Sequence, residues 1–279
     1  MIAFDFEYYK PDSLEEAVKL YDELSKRNKK PLYYSGGTEI ITMARRNDIF
    51  TKAVIDIKGI PECNVYGVTD NQLVIGAAVT LTHIADSKLV PLISKTADFA
   101  ADHTARNKIT VGGNICGKIM YKEAVLGYLV AESNAVIYGK KGKRKVPINQ
   151  AFKQRLQLEE GELLVRLITD MSYSNLPCIC IKKTKQGKTG YPLISMAALK
   201  KDNNIRMAFS GVSTFPFRSI KMEKGINNKA ISKEQRIEQA IDNLPAPIWV
   251  NIQGSAEYKR FVLRNLLGNI LETLDGEGR

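Results

Sequence analysis

The sequence predicts an α+β protein with α/β-type lobes. Strand-like and helix-like patterns alternate up to about Thr169, and the chain then changes character to a β-hairpin followed by a helical tail. Two glycine pairs, Gly36-Gly37 and Gly112-Gly113, each lie where an apolar run gives way to a turn.

The composition sets the frame for these elements. With 279 residues, 44% of them hydrophobic, the chain can bury a substantial core as one large domain or two to three smaller ones. No apolar stretch approaches the roughly 20 residues that span a bilayer. The N-terminal MIAFDFEYYKPDS is acidic where a signal peptide is basic and then apolar, so a cytoplasmic location is expected. Four cysteines, Cys63, Cys116, Cys178 and Cys180, are too few and too irregular for a disulfide framework, which points to reduced thiols. Lysine and arginine exceed aspartate and glutamate by 41 to 30. The densest basic run, Gly139 to Lys145, follows the apolar Ala135–Tyr138 and contains two glycines, so it reads as a hairpin tip. No aromatic residue is interleaved within it, and a solvated loop rather than nucleic-acid binding is expected.

Ser13 and Glu16 fit a capping box at the start of a first helix, with Leu14, Ala17, Val18, Tyr21 and Leu24 on one face. Pro31–Tyr34 reads as a short strand running into Ser35-Gly36-Gly37, and a helical pattern resumes at Thr38. Ala53–Ile57 and Leu73–Ala77 are β-rich runs. Two short helices broken near Pro91 are expected between Leu81 and Asp102. An apolar helix, Ala124–Ala131, leads to a strand at Ala135. The lysine- and glycine-rich Lys182–Gly190 reads as a linker or mobile loop. Beyond it, Leu193–Leu199 and Ile205–Ser213 form a hairpin joined through Asp202-Asn203-Asn204, followed by helices at Arg236–Leu244 and Glu257–Leu274.

Each glycine turn, placed after an apolar run, can leave several backbone N–H groups facing one anion, and two such turns suggest a diphosphate. Ser35, Thr38 and the Asn114 side chain add polar donors, and the helix from Thr38 directs its positive end at the first turn. A tight strand-to-helix connection also uses Gly-Gly, so that structural reading stays open at this point. Neither a Walker motif nor a GxGxxG is present. No Ser-His-Asp or Cys-His constellation is supported by spacing, so no catalytic residue is expected. His83 and His103 are too far apart, and Cys178-x-Cys180 too sparse, to propose a metal site. The latter pair and Cys116 read as packing residues, although Cys116 lies only two positions after Asn114.

Six segments, YYSGGTEI, IGAAVTLTHI, RNKITVGGNI, YPLISMAAL, FSGVSTFPFRS and GSAEYKRFVLRNLL, resemble in order and spacing the FAD-binding medium subunit of the molybdenum hydroxylases. This is the group of xanthine, carbon monoxide and nicotinate dehydrogenases. The resemblance implies a two-lobed PCMH-type FAD-binding domain over residues 1–175, with lobes of about 1–57 and 58–175. A C-terminal domain of small antiparallel sheet and helices follows over 176–279. It assigns FAD contacts to Tyr33, Tyr34, Ser35, Gly36, Gly37, Thr38, Glu39 and Ile40, and to Thr110, Val111, Gly112, Gly113 and Asn114. Glu123, Ile168 and Tyr191 match further cofactor positions.

The implied chemistry is flavin-borne. Electrons pass from [2Fe-2S] clusters of a small partner subunit through FAD to NAD(P)+ or another acceptor, and substrate is oxidised in a molybdopterin-containing large subunit. One segment departs from the family pattern. Small residues, proline and aspartate usually follow GGN, whereas this chain has Ile115 to Glu123, with bulky Ile119, Met120 and Tyr121 expected to reshape the flavin edge. That segment and the positive charge motivate a second reading, a flavoprotein-like scaffold acting in subunit assembly.

Overall fold

In the computed structural model, which describes residues 2–187 and 190–276, the first helix, Leu14–Lys26, starts at the expected cap. The Ser13 hydroxyl accepts the Glu16 N–H at 3.1 Å, while the Glu16 carboxylate accepts the N–H of Asp12, one residue earlier than in an ideal capping box. Leu14, Ala17, Val18 and Leu24 are buried, and Tyr21 stacks on Tyr33 with ring centroids 5.1 Å apart.

The chain forms two packed units. The first comprises residues to Ile84, His103–Ile119 and Ser133–Asp170. It holds a parallel sheet of Glu7–Tyr9, Ala53–Asp56 and Leu32–Tyr34 in that order, connected by the helices Leu14–Lys26 and Thr38–Arg45. Its second sheet is antiparallel: Tyr66–Thr69, Gln72–Gly76, Leu163–Asp170, Asn134–Gly139 and Gly142–Pro147. The alternation of strands and helices therefore produces a parallel α/β layer around the first glycine turn and a hairpin-built layer elsewhere in this unit. The strand Tyr66–Thr69, absent from the expected elements, pairs with Gln72–Gly76 through Asp70 and Asn71, both at positive φ. At the basic hairpin tip, Lys140 pairs with Asp22, Lys141 with Glu159 at 2.9 Å, and Arg144 grips Glu162 at 2.8 and 2.7 Å. Acidic neighbours thus pair with three of the run's five basic side chains.

The second unit comprises Ala85–Asp102, Met120–Glu132 and residues from Met171. Its antiparallel sheet runs Cys178–Thr184, Pro192–Lys201, Asn204–Ser210 and Phe217–Arg218. The hairpin expected to join through Asp202-Asn203-Asn204 turns on Asp202 and Asn203 alone, at φ 50° and 59°, and Asn204 already pairs with Lys201. Ile194, Met196 and Ala198 face a core built with the C-terminal helices Ile220–Ile226, Lys233–Asp242 and Ala256–Leu274. The alternate residues Ser195, Ala197 and Leu199 are equally buried, and the helices Pro91–Asp98 and Ala124–Val130 cover that opposite face. The segment expected as a linker, Lys182–Gly190, is edge strand as far as Thr184; Lys188 and Thr189 lie outside the described residues. Cross-strand pairing with Pro192–Lys201 overrides the low hydrophobicity of its lysines. The chain leaves the first unit for the last time between Asp170 and Met171.

Candidate functional site

The strand Leu32–Tyr34 delivers Ser35-Gly36-Gly37 to the N-terminus of the helix Thr38–Arg45. Gly37, at φ 71°, caps that helix in the left-handed region, and a Cβ there would also strike the Tyr34 ring. No side chain caps the helix, and helix geometry leaves the N–H groups of Thr38, Glu39 and Ile40 without intrahelical acceptors. Its positive end suits an anion. Tyr33 anchors the strand by donating its hydroxyl to the Gly161 carbonyl at 2.8 Å.

At Gly36 the two glycine motifs meet. A Cβ on Gly36 would lie 1.9 Å from the Lys108 carbonyl oxygen and 3.3 Å from the Thr110 nitrogen, so any side chain would force the segments apart. The second motif is held by Ala77–Leu81. Leu81 N–H donates to Ile109 O, Val111 N–H to Val79 O and Gly112 N–H to Ala77 O, each at 2.9 Å. Thr110 caps the helix Val111–Cys116, its hydroxyl accepting the Gly113 N–H at 3.2 Å. Here the expectation of free N–H groups at both turns needs correction. Those of Val111, Gly112, Gly113 and Asn114 all have acceptors within the protein, because Gly112 is needed for close approach to Ala77, 2.7 Å from where its Cβ would lie. What the second motif offers a ligand is the Asn114 side chain.

A charged cluster braces the first turn from behind. The Lys58 ammonium donates to the Ser35 carbonyl at 2.8 Å and to Asp56 at 2.7 Å, and lies 4.6 Å from the Tyr34 ring centroid. Since a peptide's C=O and N–H point in opposite directions, this contact turns the Gly36 N–H away from Lys58. Burial pushes the Asp56 carboxyl up, but hydrogen bonds from Lys58 and Tyr8 outweigh it and hold the group below its ordinary range. The Tyr8 hydroxyl, 2.5 Å from Asp56, is pushed up to about 12 by that bond and by desolvation. Sequence reasoning missed this cluster, since Tyr8 and Asp56 are 48 positions apart and meet only through strand pairing.

The remaining assigned residues fall in different places. Glu39 accepts the backbone N–H groups of Lys118 and Ile119. Ile168 is buried in Leu163–Asp170, paired with Val74 and Asn134. Glu123 and Tyr191 belong to the second unit. Glu123 is buried at the start of the helix Ala124–Val130, and burial holds its carboxyl above the ordinary range. Tyr191 is 55% exposed and stacks on Tyr121, with centroids 4.6 Å apart and planes at 18°. Tyr121 in turn meets Trp249 at 5.9 Å and is hydrogen-bonded by Asn251. Cys116, expected in packing, is exposed at the end of its short helix. The helix buries Val111 and Ile115 instead, turning Cys116 outward. Cys180 is half-buried, and desolvation raises its thiol to about 12. Among the described residues no helix is long and apolar enough to cross a membrane, and no group of three or more metal-ligating side chains occurs.

Two buried oxygens decide whether the site fits a cofactor. The Ser35 hydroxyl and the Asn114 Oδ1 have no hydrogen-bond partner among the described residues. Leaving such groups unmet costs about 1–3 kcal/mol each, and here they lie on the two motifs that meet at Gly36. A dinucleotide supplies what they lack, with phosphate oxygens for a hydroxyl donor and ribose or flavin N–H and O–H groups for an amide oxygen.

Comparison with known proteins identifies the family. The model described as "FAD binding domain in molybdopterin dehydrogenase" matches residues 4–169. The carbon monoxide dehydrogenase medium chain of Hydrogenophaga pseudoflava is 27% identical over 278 residues, covering 93% of each chain. The nicotinate dehydrogenase FAD-subunit of Eubacterium barkeri is 29% identical over 177 residues, 60% of this chain and 58% of that one. The fold also superposes on a chain of Hydrogenophaga pseudoflava carbon monoxide dehydrogenase, in a form lacking the Mo-pyranopterin moiety, with a TM-score of 0.87 and 25% identity over 99% of both chains. The chain belongs to the FAD-binding domain family of the molybdopterin dehydrogenases and is an FAD-binding, oxidoreductase-type subunit of the molybdenum hydroxylase group.

Proposed function

We propose that this chain carries electrons from the [2Fe-2S] clusters of a small partner subunit to NAD(P)+ or another acceptor, within a complex whose large subunit holds molybdopterin. FAD, when bound, supplies the redox chemistry and can exchange electrons singly or in pairs. The protein supplies binding and orientation. The Thr38–Ile40 amides and the Ser35 hydroxyl donate to the diphosphate, the Asn114 amide meets a hydroxyl or N–H of the cofactor, and Lys58 holds the first turn in shape. Glu123, Ile168 and Tyr191 are assigned to the cofactor by family resemblance. The observation that carries this reading is the pair of orphaned oxygens, on Ser35 and Asn114, beside an uncapped helix N-terminus.

Titrating the purified chain with FAD while following flavin fluorescence is expected to show saturable one-to-one binding. Anaerobic addition of NADH or NADPH to the loaded chain is expected to bleach the flavin absorbance. Binding without bleaching by either nucleotide would leave the cofactor site intact and overturn NAD(P)+ as the acceptor.

A further inference from the structure

We infer that the Glu39 side chain does not contact the cofactor but has a positioning role, latching the segment after Asn114 onto the helix after Gly37. Its Oε1 accepts the Lys118 N–H at 2.6 Å and its Oε2 accepts the Ile119 N–H at 3.1 Å, across nearly eighty positions of sequence. Both oxygens are thus committed to backbone donors. Gly117 makes the approach possible, because a Cβ there would sit 2.5 Å from Glu39 Oε2 and 2.9 Å from the Gly113 carbonyl oxygen. Gly117 also donates its N–H to Gly113 at 3.0 Å, so the latched segment continues directly from the second glycine motif.

The placement matters for the anion. Glu39 lies two residues past Gly37, in the first turn of Thr38–Arg45. A carboxylate there normally competes with any anion for the helix's positive end. Turning it onto two amides compensates its charge and leaves the end of the helix to the ligand. The latch also sets the spacing between Ser35–Gly37 and Asn114, since Lys118 follows Asn114 by four residues. Residues 117–119 lie within the stretch where this chain departs from the family pattern. Despite that departure, they are tied to the conventional first motif.

This inference rests on the diphosphate reading above, and the test separates the two. Amide hydrogen exchange is compared between the FAD-free full chain and its Glu39→Gln variant, which is isosteric but turns an N–H donor toward an N–H. Lys118 and Ile119 are expected to exchange about tenfold faster in the variant, with the amides of Leu163–Asp170 unchanged. FAD affinity by fluorescence titration is expected to fall about tenfold. Weaker FAD binding with unaltered exchange at Lys118 and Ile119 would make the Glu39 side chain a direct contact and overturn the latch. Faster exchange with unaltered FAD affinity would also overturn it, since the latch would then serve no site. If the wild-type chain binds no FAD, the diphosphate reading is what fails, and with it the positioning role, while the exchange comparison still reports whether the latch exists.

Discussion

Ser35 and Asn114 differ from Gly36, although all three belong to the two glycine motifs. A buried polar atom with no partner destabilises the free protein, so Ser35→Ala is expected to leave the FAD-free chain unchanged or up to about 1 kcal/mol more stable. If Ser35 donates to the diphosphate as proposed, the same change should weaken FAD binding by roughly 10- to 100-fold. Gly36→Ala should instead damage both, because a Cβ 1.9 Å from the Lys108 carbonyl must push backbone aside, at a cost of about 1–3 kcal/mol. Urea unfolding of the FAD-free variants together with FAD titration separates the two patterns. A Ser35→Ala chain that loses stability and keeps its affinity would show that Ser35 serves the fold.

At the scale of elements, the strand Ala53–Asp56 ends in a carboxylate that joins two neighbouring strands to the glycine turn through Tyr8 and Lys58. Asp56 is held below its ordinary value in the folded chain, and its stabilising contribution has the sign of a depressed acid. It is fully present above the ordinary carboxylate value of 3.8 and is lost as pH falls through the lower folded value. Asp56→Asn should therefore cost about 1 kcal/mol at pH 7, discounted for the partly exposed Lys58, with the gap to wild type closing below pH 3.8. Denaturant melts of both proteins from pH 7 to pH 3 report that gap, and a constant difference would refute the assignment. Elements with strong local signals were legible beforehand. The Ser13 cap, the Pro91 break and the Asp202-Asn203 turn each owe their conformation to neighbouring residues. Tyr66–Thr69 and the strand portion of Lys182–Gly190 owe theirs to partner strands, which local pattern does not reveal.

For the whole molecule, the two packed units interleave along the chain. The sheet that begins at Cys178 has one face covered by Pro91–Asp98 and Ala124–Val130, which precede it by many residues. A fragment comprising residues 171–279 would expose Ala197, Leu199 and their neighbours. It is expected to retain far-UV helical signal while losing near-UV signal and binding a hydrophobic dye, as a loosely packed state does. A cooperative melt with native near-UV signal would show that the C-terminal part folds alone. The family's ordered motifs let the cofactor class be read from residue order, because glycines and caps at fixed spacing report on backbone geometry.

Residue order alone specified the α+β class and the two glycine turns. Those features depend on conformations that a few adjacent side chains dictate. Packing across long sequence separations decided the rest. It committed the second turn's N–H groups to Ala77 and its neighbours and turned Glu39 onto Lys118 and Ile119. It left the Ser35 hydroxyl and the Asn114 Oδ1 without a hydrogen-bond partner among the described residues. Hydrogen-bond partners drawn from distant segments are set by how strands register and loops close, and no local pattern encodes which partner a polar atom will meet.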